Sequence, residues 1–241
     1  MTVRIAMWSG PRNISTAMMR SFENRPDCAV VDEPFYAAYL ASTGLDHPMR
    51  GEVLTSQPID PERVVAGLDA LEGPLVYEKH MTHHMLPGMD LGWTAERRNA
   101  FLIRDPAAVL ASYVVKREDV CLADIGVERQ RELFERETDR LGHAPPVVEG
   151  RDMLADPRGM LSALSAALGI AFDEAMLSWP AGPRESDGVW APAWYDAVER
   201  STGFSAPPDR TPAPLRDDLR RIAEAARPHY ERLAGFALKP A

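Results

Sequence analysis

Lysine is scarce in this sequence: Lys79, Lys116 and Lys239 are the only lysines among 27 basic residues. Cysteine is as rare, with 2 in 241 residues, which excludes a disulfide-stapled fold and suits a reducing compartment. Positive charge is also in short supply, because the formal net charge is −9. Proteins that bind nucleic acids or anionic membranes normally have a basic surface. We therefore expect neither as a partner.

Long apolar runs are absent too. The N-terminal run VRIAMW is far shorter than the ~20 residues of a membrane span and is too short for the core of a signal peptide. We expect a soluble, cytoplasmic protein. The sequence is 45% hydrophobic, which is ample for a core, and we predict a single domain over 1–241.

Short apolar runs alternate with amphipathic helical patterns, which predicts an α/β fold with a mostly parallel sheet of about five strands. Their near-continuous apolar character is typical of strands covered by helices on both faces, in three layers. The predicted strands are 3–8, 28–33, 75–80, 100–104 and 145–149. The predicted helices are 15–24, 62–71, 107–118, 124–140, 157–168 and 214–233. Segments 41–61 and 180–214 are predicted long loops, which often serve as lids or binding segments.

The stretch AMWSGPRNISTAMMRSF (6–22) predicts an anion site. A strand leads through a tight turn into a helix, whose first backbone N–H groups are unpaired and carry the positive end of the helix dipole. The loop lacks the Gly-Lys-Ser/Thr ending of loops that bind ATP or GTP. An ordinary turn with a Ser/Thr cap is the alternative. The candidate ligands of the anion are Ser9, Gly10, Arg12, Asn13, Ser15 and Thr16.

A second stretch, NAFLIRDPAAVLASYVVKRE (99–118), points to the same place. A predicted strand ends at Arg104, and Ser112 lies eight residues further on, in the next predicted helix. Ligands of open α/β sheets bind at the carboxyl ends of the strands, so Arg104 and Ser112 can reach one anion there. The alternative is that Arg104 pairs with an acidic neighbour.

Together the two stretches resemble the PAPS-dependent sulfotransferase family, where PAPS is 3′-phosphoadenosine 5′-phosphosulfate. PRNISTA is similar to the loop that holds the 5′-phosphosulfate, with Arg12 at the usual lysine position and Ile14 at that of a glycine. RDPAAVLASY is similar to the 3′-phosphate motif, and DEPFYAAYL to the bacterial and carbohydrate-type branch. The resemblance implies a P-loop-like fold, PAPS as co-substrate and no metal. It also implies sulfuryl transfer to a hydroxyl or amine of a small-molecule or sugar acceptor.

The resemblance also suggests which residue takes the proton of the acceptor. Carbohydrate-type members have a catalytic glutamate near the position of Glu33, just past the second predicted strand. Cytosolic members have a histidine after a lysine near the end of the third, which makes His80 the second candidate. Lys79 would polarise the transferred group. The alternative for Glu33 is an ion pair that orders Arg12.

Three other interpretations compete with this one. The first is a zinc site, because His80, His83 and His84 form an H-x-x-H-H pattern, but metalloprotease helices of the H-x-x-E-H type need glutamate where His83 stands. A P-loop kinase for a small metabolite shares the architecture, although the loop lacks its terminal lysine and hydroxyl. A relative that binds the product nucleotide PAP without turnover is the third, because Ile14 replaces a loop glycine.

Overall fold

A computed structural model describes residues 2–114, 119–205 and 215–241 of the chain. Its centre is a five-stranded sheet of order β2-β3-β1-β4-β5 in which every neighbouring pair is parallel. The predicted α/β fold is therefore confirmed. The strands are β1 (Val3–Ser9), β2 (Cys28–Asp32), β3 (Leu75–Met81), β4 (Arg98–Ile103) and β5 (Val147–Glu149).

The helices that follow most strands complete the βαβ pattern. Those described are α1 (Ser15–Glu23), α2 (Tyr36–Thr43), α3 (Arg50–Ser56), α4 (Pro61–Asp69), α5 (Pro106–Tyr113), α6 (Leu122–Ile125), α7 (Val127–Leu141), α8 (Gly150–Ala155), α9 (Pro157–Ala167), α10 (Ala191–Trp194), α11 (Asp196–Glu199) and α12 (Asp217–Ala234). Short 3₁₀ helices cover Thr82–His84, Gly92–Glu96 and Glu174–Leu177. None of these described helices is long and apolar enough to cross a membrane.

Both faces of the sheet are buried, which explains the unbroken apolar strands. Successive side chains of β1 alternate between the two faces. Ile5 and Met7 belong to the core beside α1 and α9. Ala6 and Trp8 belong to the opposite core, beside α4 and α7. All four side chains are fully buried, so the sheet is the middle layer of three.

Asp-Pro pairs set the start of three helices. Asp60, Asp105 and Asp156 each accept hydrogen bonds from backbone N–H groups of the first turn, and the proline after each occupies an early helical position. Proline costs nothing there because the first N–H groups of a helix have no partner within it. The start of α5 fixes the position of Ser112 relative to Arg104.

Three predicted segments differ from the structure. The long loop predicted over 41–61 is wrong, because α3 lies within it and buries Val53. The helix predicted over 124–140 divides at Gly126, whose φ of 66° ends α6. A Cβ at Gly126 would come within 2.6 Å of Thr82 Oγ1. The loop predicted over 180–214 contains the one-turn helices α10 and α11. Its residues 206–214 lie outside the described residues. The same holds for Lys116 and for the end of the helix predicted over 107–118.

Candidate active site

The loop between β1 and α1 has the backbone path of an anion site. Arg12 and Ile14 have positive φ values of 57° and 51°. Pro11, before Arg12, and Asn13, between the two, do not have positive φ. Such alternation turns successive N–H groups toward one point. The helix α1 then begins at Ser15 with no acidic residue in its first turn, which leaves its positive end free for an anion.

Ile14 is the unusual residue of this loop. A β-branched side chain in the left-handed region is a conformational outlier, and such strain is typical of functional sites. Ile14 nevertheless follows the left-handed path that a glycine would take, while its side chain packs against the core beside α1. The replacement of the family's glycine therefore does not remove the left-handed turn.

Three residues join the two sequence motifs into one cluster. Arg12 Nε donates a hydrogen bond to Ser112 Oγ at 3.0 Å. Arg104 Nη1 donates to the backbone oxygen of Arg12 at 2.6 Å. Neither arginine has an ion-pair partner among the described residues, whose ion pairs all involve other cations. Two half-buried guanidinium groups that form no ion pair with a described carboxylate can bind an anionic ligand.

Burial affects both arginines. Desolvation lowers the pKa of Arg12, although Tyr113 and Asp196 counteract it in part. Desolvation also lowers the pKa of Arg104, and the charge of Arg12 lowers it further, while Glu149 and Asp105 counteract part of this shift. The two positive charges thus repel one another in a partly desolvated site. A phosphate between them relieves this repulsion, which favours anion binding.

At the β2–β3 end of the same edge, Lys79 is the centre of a buried network. Its Nζ donates to Asp32 Oδ1 at 2.8 Å, to Glu33 Oε1 at 2.8 Å and to Tyr195 Oη at 2.6 Å. Tyr195 Oη donates in turn to Asp32 Oδ2 at 2.6 Å and accepts from Trp190 Nε1 at 3.0 Å. A lysine ammonium has three N–H groups, so Lys79 has none left.

The network raises the pKa of Lys79 and the pKa of Glu33 alike. Burial alone lowers the pKa of Lys79, but Asp32, Glu33 and Tyr195 outweigh it and raise that pKa well above its ordinary value. Burial raises the pKa of Glu33, Lys79 lowers it in part, and Asp32 raises it again, so that it lies above the ordinary value. Lys79 therefore stays charged, and Glu33 holds a proton more readily than a free glutamate.

The arginine cluster and the Lys79 network, apart from Asp32, line one cavity of about 230 Å³ at the carboxyl ends of the strands. Because the sheet order is β2-β3-β1-β4, Glu33, Lys79, the loop at Arg12, and Arg104 follow one another along this edge. The other polar and aromatic residues that line it are Asn13, Ser15, Thr16, Tyr36, His47, His83, His84, Ser112, Tyr113, Trp190, Trp194 and Tyr195.

His80 is not brought into this cavity. Side chains alternate along β3, so His80 points away from Lys79 to the opposite face. There its Nε2 lies 3.0 Å from Glu78 Oε2, and its ring stacks on Trp8 with centroids 4.6 Å apart. His80 as a whole is 1% exposed. The role of second candidate base remains a prediction, and this geometry gives it no support.

Two other predicted ligands lie beneath the loop and do not line the large cavity. Ser9 is fully buried at the end of β1. Gly10 has a steric role, since a Cβ there would come within 2.3 Å of the Ile125 carbonyl oxygen. Asn13 lines the cavity but anchors the loop as well, because its Nδ2 donates to the Leu102 carbonyl at 2.6 Å.

Some residues of the site were not predicted from the sequence. Asp32 precedes the predicted Glu33 and could have been found from its place at the end of β2. Tyr195 comes from the segment predicted as a loop, and no motif marks it. Among the described residues, no group of three or more His, Cys, Asp or Glu residues is arranged to hold a metal ion.

Comparison with known proteins identifies the class. The model of the sulfotransferase domain family matches residues 3–237, so the chain belongs to that family and is a transferase. Branched-chain-amino-acid aminotransferase-like proteins 2 and 1 of Arabidopsis thaliana are 36% and 37% identical to it over 205 residues. Each match covers 84% of this chain, which spans 36% and 37% of the length of the two plant proteins.

Solved structures agree on the fold. The sulfotransferase domain of the Synechococcus PCC 7002 olefin synthase aligns with a TM-score of 0.52 at 20% identity, over 93% of this chain and 94% of that one. The sulfotransferase domain of the curacin biosynthetic pathway gives 0.55 at 17%, over 93% and 97%. A sulfotransferase from Alicyclobacillus acidocaldarius gives 0.54 at 13%, over 99% and 97%.

Proposed function

We propose that this transferase takes its sulfuryl group from PAPS. The observation that carries the proposal is the cluster of Arg12, Arg104 and Ser112 beside the N-terminus of α1. The loop and helix end provide a site for the 5′-phosphosulfate. Arg104 and Ser112, on the β4 side, provide a second site for the 3′-phosphate. A donor with phosphates at both ends of a ribose satisfies the two sites together.

In the proposed reaction, the acceptor enters from the β2–β3 side and its hydroxyl oxygen attacks the sulfur. A new O–S bond forms, and the S–O bond to the 5′-phosphate breaks. PAP leaves with the electron pair of that bond, and Arg12 stabilises the charge that develops on the phosphate. The hydroxyl proton passes to Glu33. The Glu33 side chain is 12% exposed and borders the cavity, so an acceptor can reach it.

Lys79 has a different role in this account from the one its sequence position suggested. Its three N–H groups bond Asp32, Glu33 and Tyr195, so it reaches a sulfuryl oxygen only after one bond breaks. We assign Lys79 to holding Glu33 in place for proton transfer. Contact of Lys79 with the transferred group stays a secondary prediction.

The test compares nucleotides by thermal shift, without added metal for PAP and AMP and with magnesium for ATP and ADP. We expect selective stabilisation by PAP, because it alone of the four carries a 3′-phosphate. Transfer of ³⁵S from labelled PAPS to a panel of hydroxyl compounds then measures turnover. Stabilisation by ATP with magnesium and not by PAP would contradict the proposal.

A further inference from the structure

Aromatic rings form one wall of the cavity at its β2–β3 end. His84 stacks on Tyr36 and on Tyr39, with ring centroids 4.8 Å apart in both pairs. Tyr36 Oη lies 2.9 Å from His47 Nδ1, and Trp190 meets the Tyr36 ring edge-on at 5.1 Å. Because both stacking partners cover its ring, His84 offers a ligand only its edge.

Among the described residues, both ring nitrogens of His84 lack a hydrogen-bond partner. Nδ1 is buried without a hydrogen-bond partner, and in the described part of the chain Nε2 has none either. Burial lowers the pKa of His84 well below its ordinary value, and the neighbouring His83, His47, Lys79 and His80 act in the same direction. The ring is therefore neutral at pH 7 and carries one proton.

That proton belongs on Nε2. An N–H group buried without an acceptor is rarer in proteins than an acceptor that lacks a donor, so Nδ1 holds the lone pair. Since the edge of His84 borders the cavity, Nε2–H is the donor that can serve a ligand there. A donor of this kind binds an oxygen; it does not accept the proton of an attacking hydroxyl.

Formal charge is confined to the other residues of the site. The lysine, arginine and carboxylate side chains among the described lining residues are Arg12, Arg104, Lys79 and Glu33. The arginines lie on the donor side, and Lys79 and Glu33 are paired with each other at 2.8 Å. The wall formed by the rings of Tyr36, His84 and Trp190, called the ring wall below, thus offers no lysine, arginine or carboxylate to a charged acceptor.

We propose that the ring wall of Tyr36, His84 and Trp190 binds an uncharged acceptor that carries a ring, and that His84 Nε2–H donates to an oxygen of that acceptor. This inference rests on the proposed function in one respect: the bound ligand is an acceptor only if the protein transfers a sulfuryl group. The binding itself does not depend on that. His84 is then a residue that determines acceptor specificity, next to the base.

The test uses three probes that share a hydroxyphenyl group and differ in charge: 4-ethylphenol is neutral, tyramine is a cation and 3-(4-hydroxyphenyl)propionate is an anion. Each is titrated by NMR into the full chain, with and without saturating PAP, so the wall is tested whether or not PAP binds. We expect 4-ethylphenol to bind at least about tenfold more tightly than either charged probe, since burying an unpaired charge is costly.

Variants of His84 identify the hydrogen bond. His84→Phe keeps the stacked ring and removes the donor, and should weaken 4-ethylphenol about three- to tenfold. His84→Gln restores a donor near the position of Nε2 and should recover part of that loss. His143→Phe, the same change at an exposed histidine, is the matched control and should change nothing.

The outcomes separate the two proposals. If the wild-type protein does not bind PAP but still prefers the neutral probe, the proposal of PAPS as donor is refuted and the proposal about the ring wall is supported. Tighter binding of a charged probe, no binding of any of the three, or equal affinities in wild type and His84→Phe would overturn the ring wall. PAP affinity measured by calorimetry should be the same in wild type and both His84 variants.

Discussion

Glu33→Gln separates chemistry from structure at the proposed base. The amide keeps the shape of the carboxylate and its oxygen still accepts from Lys79, which Asp32 also pairs at 2.8 Å. It cannot take a proton, so kcat for transfer from PAPS should fall about 10²-fold or more. PAP affinity should barely move, because the Glu33 side chain bonds Lys79 and not the loop at Arg12.

The raised pKa of Glu33 also predicts how Glu33→Gln changes the stability of the protein. The pKa of Glu33 in the folded protein lies above its ordinary value. Its contribution to stability is therefore fully present below the unfolded pKa of about 4.3 and is lost as pH rises through the folded pKa. Glutamine does not ionise, so Glu33→Gln should melt at pH 7.5 no lower than wild type.

The assays are kcat against pH and melting temperature against pH for both proteins. Wild-type kcat should fall as pH drops through the raised pKa of Glu33, and the residual activity of Glu33→Gln should lack that step. A variant that keeps wild-type kcat but melts several degrees lower would refute the reasoning, since Glu33 would then be a structural partner of Lys79. PAP affinity by calorimetry is the control for an intact donor site.

Three further substitutions test other parts of the account. Arg12→Ala should lower kcat about 10²–10³-fold with a near-normal Tm, because Arg12 has no ion-pair partner among the described residues; unchanged turnover would contradict its role. Tyr195→Phe removes a donor from Asp32 and should destabilise by about 1–3 kcal/mol in urea unfolding, whereas an unchanged midpoint would mean that the network is not formed. Gly10→Ala forces a Cβ toward the Ile125 carbonyl, 2.3 Å away, and should cost about 1–3 kcal/mol; wild-type stability would show that the loop shifts freely.

The sheet was predictable because its strands are covered on both faces. Continuous apolar runs then stand out, and the residues at their carboxyl ends fall on one edge, as Arg12 and Arg104 do. The Asp-Pro pair at Asp156 likewise marked the start of α9. Hydrophobic periodicity and helix capping depend on residues that are close in sequence, so both can be recognised from the sequence alone.

Contacts between distant segments were not predictable in the same way. Tyr195 reaches Asp32 across 163 residues, and no local pattern encodes that pairing. The direction of His80 depends on the register of β3, because a shift of one residue exchanges the faces. The sequence could place Lys79 and His80 side by side, but only the strand's alternation decides which of them borders the cavity.

The most direct test of the central claim is calorimetric titration of PAP and AMP into wild type and Arg104→Gln. Glutamine keeps a polar side chain but removes the charge and the reach of the guanidinium, whose Nη1 bonds the Arg12 carbonyl at 2.6 Å. Charge-assisted hydrogen bonds contribute about 1.5–3 kcal/mol, so PAP should weaken about ten- to 150-fold, and AMP, which lacks the 3′-phosphate, should not change. Equal losses for PAP and AMP, or no loss for PAP, would contradict the account.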